Sequence, residues 1–251
     1  MIEIKNLKKS FGDLLVWEGV NLTIEDGETI AVIGRSGCGK SVLMKNINAL
    51  MFPDEGEVLI DGENIFDLDY VKLRRKRQKF GIMFQGSALF DSINTFENVA
   101  FPLRYFTKMK EDEITHEVMQ ALDMVNLKDS AYKGTSELSG GMRKRVGLAR
   151  AIILKPEYLM YDEPTSGLDP QTSDEINDLI TYMADSLKIT SIVITHDMHS
   201  VLKVADKVAF LDKQKLSWTG SVDEMRHSDH EDLLNFVSAS EYQLKPQEAK
   251  F

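Results

Sequence analysis

The sequence contains a single cysteine, Cys38, in 251 residues. It can form no internal disulfide, and it suits a reducing compartment. Long apolar runs are missing as well. None approaches the roughly 20 residues that a membrane helix requires, so a membrane role would have to come through a partner. The start, Met-Ile-Glu-Ile-Lys, lacks the apolar stretch of a secretory leader. Positive charge is in short supply. The 30 Lys and Arg face 40 Asp and Glu, for a formal net charge of -10. An average surface of that sign repels DNA and RNA, and no nucleic-acid partner is expected. What is there is ordinary for a globular chain: 43% hydrophobic and 28% charged residues, with enough length to bury a sizeable core.

Short apolar runs alternate with helical patterns. Residues 30–33, 80–84, 158–161, 191–195 and 208–211 are predicted as buried strands, being short, apolar and mostly β-branched or aromatic. Helices are predicted over 40–50, 111–125, 141–154, 173–187 and 198–205. Such alternation implies an α/β fold with a mostly parallel sheet. The first part differs. Residues 2–4, 19–24 and 57–60 alternate in polarity between turn residues, which predicts a small N-terminal antiparallel β subdomain. The stretch of about 86–157 is mostly helical and is expected to be an inserted helical subdomain. One domain over 1–226 is expected, followed by a C-terminal extension, 227–251, with a short helix over 231–238 and then a loose tail.

Gly34-Arg35-Ser36-Gly37-Cys38-Gly39-Lys40-Ser41 fits the pattern G-x-x-x-x-G-K-[S/T]. It follows a predicted strand and opens a predicted helix, the context the motif requires. Glycines let the backbone turn tightly and aim several N–H groups into one concavity. The helix start adds its positive end. Lys40 would charge-pair with the β- and γ-phosphates, and the Ser41 hydroxyl would ligate Mg²⁺, so ATP and Mg²⁺ are the expected ligands. Cys38 sits at a free position of the loop and reads as a small residue without a chemical role.

The run 158–161 ends in Asp162-Glu163-Pro164. Ligands sit at strand tips in parallel sheets. Asp162 would hold Mg²⁺, directly or through water, and Glu163 would orient or deprotonate the attacking water. A further strand ends in His196, which could reach a γ-phosphate.

Leu138-Ser139-Gly140-Gly141-Met142 then becomes decisive. It is similar to the signature motif of ATP-binding cassettes. Nearly the whole chain resembles the nucleotide-binding subunit of an ABC transporter, a P-loop NTPase core. The resemblance implies a homodimer, head to tail around two ATP molecules, each held between one chain's phosphate loop and the other's signature. The physics agrees, because Ser139 and the amides of Gly140 and Gly141 open a helix and offer a positive end to a phosphate. The resemblance also implies that Gln85 contacts Mg²⁺ and the attacking water. It makes Ser166, Gly167, Leu168 and Asp169 a loop crossing the dimer, and Phe11 the aromatic stacked on adenine, where many relatives carry Tyr. Val42 departs from the common Thr but can still give its backbone N–H to phosphate. An integral membrane permease is implied as partner.

Three stretches, the phosphate loop from Gly34, the signature helix from Leu138, and the run from Gly86 to Arg104, are similar to cassettes of the Mla type. Those work with MCE-domain proteins in phospholipid trafficking between bacterial inner and outer membranes. The resemblance implies a peripheral position on the cytoplasmic side of the inner membrane. A small accessory subunit at the C-terminal extension is a further possible partner. Other ABC importers and exporters stay open as alternatives, as does a cassette that moves no solute. The run from Gly86 is apolar and aromatic, which suits a groove for a permease helix. Two basic clusters stay open. Lys72, Arg74, Arg75, Lys76, Arg77 and Lys79 could face anionic lipid or form a solvated face. Arg143, Lys144 and Arg145 could add positive potential near phosphate or pack on the helical subdomain.

Overall fold

The chain begins as an antiparallel hairpin of β1 (Ile2–Phe11) and β2 (Leu14–Ile24), with Ile2 opposite Ile24. It crosses to β3 (Thr29–Gly34), runs into α1 (Lys40–Ile47), and returns as β4 (Glu55–Ile60) and β5 (Glu63–Asn64). The helix α2 (Tyr70–Gln78) leads to β6 (Phe80–Met83). A helical block follows: α3 (Thr95–Phe106), α4 (Glu111–Met124) and α5 (Gly140–Ile152). Then come β7 (Tyr158–Asp162), α6 (Pro170–Leu187), β8 (Thr190–Ile194), α7 (Met198–Val204) and β9 (Lys207–Asp212). The edge strand β10 (Lys215–Ser221) and the helices α8 (Val222–Arg226) and α9 (Glu231–Ala239) close the fold. The structure, a computed structural model, describes residues 1–240. The expected loose tail, and with it much of the expected accessory-subunit surface, lies outside the described residues.

Two sheets result. The first has the order β2-β1-β4-β5 and is antiparallel throughout. The second has the order β10-β9-β3-β8-β7-β6. Its strands from β9 to β6 are parallel, and β10 pairs antiparallel with β9. The α/β class, the antiparallel subdomain and the mostly parallel sheet are thus as expected. All six residues of β3 are buried, as befits a central strand covered on both faces.

Packing follows from which faces are apolar. Leu43, Met44 and Ile47 of α1 fill the space between the sheets, against Ile4 and Val58 on one side and Met160 and Ile192 on the other. Each such side chain contributes about 1.5–3 kcal/mol through burial. On the opposite face, Met198, Met225, Leu233 and Val237 from α7, α8 and α9 cover Ala31, Ile33 and Phe210. A third cluster joins α3, α4 and α5 through Val99, Val118 and Val146 to Tyr161 of β7 and Ile180 of α6.

Several boundaries differ from expectation for local reasons. The helix α1 stops at Ile47, because Asn48 caps it and Ala49 takes a φ of 55°. The helix α6 starts at Pro170, not at 173. Asp169 is its N-cap and accepts a 2.9 Å bond from the Thr172 amide, and proline suits the first helical position because its missing N–H has no partner to lose there. The strand β10 was not expected.

Candidate active site

The phosphate-loop motif joins β3 to α1 by a path that demands glycine twice. Gly34 has φ +151°, and a Cβ there would lie 2.8 Å from Cys38 Sγ and would meet the Leu211 carbonyl. Gly39 has φ +96°, and a Cβ there would lie 2.7 Å from Trp17 Nε1. Gly39 also caps α1 without any side-chain bond, so the first amides of the helix stay open toward the loop. Lys40 is buried beneath this turn. Its Nζ donates to the carbonyls of Gly34 at 2.7 Å and Arg35 at 3.1 Å, which centres a full positive charge on the concavity. Cys38 turns the other way and packs toward the core between the sheets, where burial pushes its thiol up.

Two strand tips face this loop. Ser41 Oγ lies 3.3 and 3.4 Å from the two carboxylate oxygens of Asp162 at the end of β7. Burial pushes the Asp162 carboxyl up, against the pull of the Ser41 hydrogen bond. The next residue, Glu163, adopts a φ of 48° although it is not glycine, a conformation costing about 1–2 kcal/mol. Its N–H donates to the Ile194 carbonyl of β8 at 2.8 Å. Because β7 and β8 are neighbours, with Asp162 opposite Ile194, Glu163 comes to rest beside His196. Its carboxylate oxygens are 2.9 and 3.0 Å from His196 Nδ1. Gln85, just past β6, points Nε2 at Ser166 Oγ at 3.4 Å.

Gly34, Arg35, Ser36, Gly37, Gly39, Lys40, Ser41, Val42, Gln85, Asp162, Glu163 and His196 line one cleft of about 820 Å³, which α9 borders with Asn235 and Phe236. The cleft holds a cationic cradle with open amides, a set of hard oxygen donors in Ser41, Asp162 and the Gln85 amide, and a carboxylate backed by an imidazole. Such donors fit a phosphate chain and a hard divalent cation.

Residues 17–166 match the ABC transporter family. The chain belongs to that family. It is 39% identical to the intermembrane phospholipid transport system ATP-binding protein MlaF of Haemophilus influenzae, over 94% of this chain and 90% of that protein. It is 40% identical to a probable ribonucleotide transport ATP-binding protein, mkl, of Mycobacterium leprae, over 94% of this chain and 68% of that one. Its fold matches the dimeric, post-hydrolysis cassette MJ0796 bound to ADP and Pi, with a TM-score of 0.81 at 31% identity, over 88% of this chain and 99% of the other. The cassette is therefore an ATPase subunit of an ABC transporter. Among the described residues no helix is long and apolar enough to cross a membrane.

The remaining sequence candidates fall outside the cleft lining. Ser139 caps α5, accepting from the Met142 amide at 3.2 Å, and Ser139 and Gly140 are exposed while Leu138 is buried. Gly141 packs against Thr172 of α6. Asp169 caps α6, Leu168 approaches Gly140, and Gly167 is exposed. Phe11 ends β1 with 47% of its surface exposed and the Lys9 ammonium 5.5 Å from its ring.

Sequence reasoning left some site residues undecided or unseen. Lys144 proves to be buried and donates to the Gln85 and Glu163 carbonyls. A buried polar chain runs behind His196: Asn177 Nδ2 donates to Ser200 Oγ at 3.0 Å, and Ser200 Oγ donates to Asp197 at 2.6 Å. Of the basic run, Lys76, Arg77 and Lys79 are absorbed by internal partners. Lys76 pairs with Glu63, Arg77 bonds the Asn48 and Ala49 carbonyls, and Lys79 pairs with Glu157.

Proposed function

We propose that this cassette energises phospholipid trafficking between the inner and outer membranes of a bacterium, acting with a membrane permease and an MCE-domain lipid-binding protein. The observation that carries the reading is the likeness to MlaF along almost the full length of both chains. It is supported by the phosphate loop, the signature helix and the run after Gln85. The cassette would lie on the cytoplasmic side of the inner membrane, held there by its permease. A second reading, a cassette for another solute, rests on the 40% identity to the mycobacterial relative, beside 39% for MlaF.

The site geometry supports a definite division of labour. The loop amides and Lys40 would hold the β- and γ-phosphates of ATP, and Phe11 would stack on adenine. Ser41, Asp162 and Gln85 would hold Mg²⁺, which when bound neutralises charge on the phosphates. Glu163 would take a proton from the attacking water, with His196 orienting the carboxylate and facing the γ-phosphate. The exposed Ser139 and Gly140 at the start of α5 would complete the site of a second copy. ATP would then close a head-to-tail dimer, and hydrolysis would reopen it. Phe84, Phe90, Phe101, Tyr105 and Phe106 are all exposed beside the Gln85 segment, and Arg74 lies over Tyr105 and Phe106. They would receive a permease helix.

The test is purification of the tagged chain from gently solubilised native membranes, with the companions identified by mass spectrometry. A multi-span permease together with an MCE-domain protein is expected. A different permease would overturn the lipid assignment, and ribosomal or DNA-repair proteins without a permease would overturn the transport reading for this chain.

A further inference from the structure

Lys144 lies on α5, five residues after Ser139, and only 5% of its surface is exposed. An ammonium in such a place is costly unless it is well bonded. It is bonded to main-chain carbonyls. It donates to Gln85 O, and to Glu163 O at 3.0 Å. Burial pulls its pKa down, and the charges of Glu163 and Asp162 oppose that pull.

The same face of α5 grips the segment after Gln85 at further points. Gly147, three residues on, packs close enough that a Cβ there would lie 3.3 Å from Ser87 Cβ. Arg150, a further three residues on, donates to Ser87 O at 2.6 Å and Ala88 O at 2.8 Å. Both carbonyls belong to residues in left-handed conformation, Ser87 at φ 61° and Ala88 at φ 45°. Of these three residues, Lys144 alone also reaches Glu163. The backbone of Glu163 is thus fixed on both sides, its N–H by Ile194 and its carbonyl by Lys144 together with the Ser166 N–H at 3.2 Å.

We propose that Lys144 is a positioning residue, setting Gln85 and Glu163 against each other for attack on ATP. It also ties them to the helix whose first turn faces the second nucleotide. This second clause rests on the dimer reading above. A helix rises 1.5 Å per residue, so about 7–8 Å of rigid rod separates Ser139 from Lys144. Movement of α5 on closing against a partner's ATP would shift two carbonyls of this chain's own hydrolytic site. Signature engagement at one site would then be felt at the other.

The experiment compares Lys144→Met, which keeps the approximate shape and removes both hydrogen bonds, with Lys144→Arg, which keeps a charged donor. Expected for the methionine variant is a fall in kcat of at least about 10-fold with KM for ATP and affinity for a fluorescent ATP analogue within about 3-fold. Arginine is expected to restore most of the turnover. A merely structural role would lower melting temperature and nucleotide affinity together, without this split. If the methionine variant fails to fold, Lys144→Leu, which also carries no donor, makes the same comparison. The proposal is overturned if the donor-free variant keeps its turnover, or if arginine does no better than methionine at equal stability. Glu163→Gln is measured alongside. Full hydrolysis there would overturn the site reading itself, whereas an inactive Glu163→Gln beside a fully active Lys144→Met would overturn only the role of Lys144.

Discussion

His196 Nδ1 lies 2.9 Å from the Glu163 carboxylate, and the two residues come from the tips of neighbouring parallel strands. The pair is asymmetric. The Glu163 side chain is 14% exposed and that of His196 is 67% exposed. The carboxylate is therefore sheltered where a water could be activated, while the imidazole reaches out toward the space a γ-phosphate would fill.

This arrangement predicts that His196→Ala lowers ATP turnover by about 100-fold and leaves nucleotide affinity nearly unchanged. On the proposed reading, the affinity would reside in the loop amides and Lys40. Turnover assays paired with a fluorescent-nucleotide titration check it. A parallel loss of binding would move His196 from the hydrolytic group to the binding group.

Asp162 predicts a trade between stability and function. Its carboxyl is pushed up chiefly by burial, so the folded state holds that proton more tightly than the unfolded state does. Stability from this group is present at low pH and is lost as pH rises from the unfolded value, about 3.9, through the higher folded one. Asp162→Asn has no such loss. At pH 7 without nucleotide it should melt above the wild type. The gap should close toward pH 3. The same variant should lose the stabilisation that Mg²⁺ with ATP gives the wild type.

Gly39 carries the entry into α1. Gly39→Ala must place a Cβ at φ +96°, 2.7 Å from Trp17 Nε1. A cost of roughly 1–3 kcal/mol is expected from the backbone conformation alone, together with a marked loss of ATP affinity as the loop shifts. Thermal melting and nucleotide titration read the two effects separately.

The parts legible in the sequence are those whose physics is local. The strand β3 is a continuous apolar run followed at once by glycines and Lys40, so strand, loop and helix could each be read. The edge strand β10 has no fully buried residue, so it shows neither a buried run nor a clean alternation. The helix α2 likewise buries none of its residues, and its cations mask the one strong local signal, the Asp69 cap. The helix α3 carries Pro102 in its interior, which argues locally against a helix that packing with α4 and α5 sustains. Non-local relationships were out of reach. That Glu163 and His196 touch depends on β7 lying beside β8, and that Lys144 matters depends on three segments meeting: 85–88, Glu163 and α5. Sequence reasoning could place Lys144 near the phosphates or in the helical subdomain; it packs between them.

The most direct test of the account is the behaviour of Glu163→Gln with Mg²⁺ and ATP, followed by turnover and by mass in solution. The account predicts ATP binding of wild-type affinity, turnover reduced at least about 100-fold, and a dimer that persists while ATP is present. Wild-type turnover in this variant, or a monomer that ATP does not bring together, would contradict it.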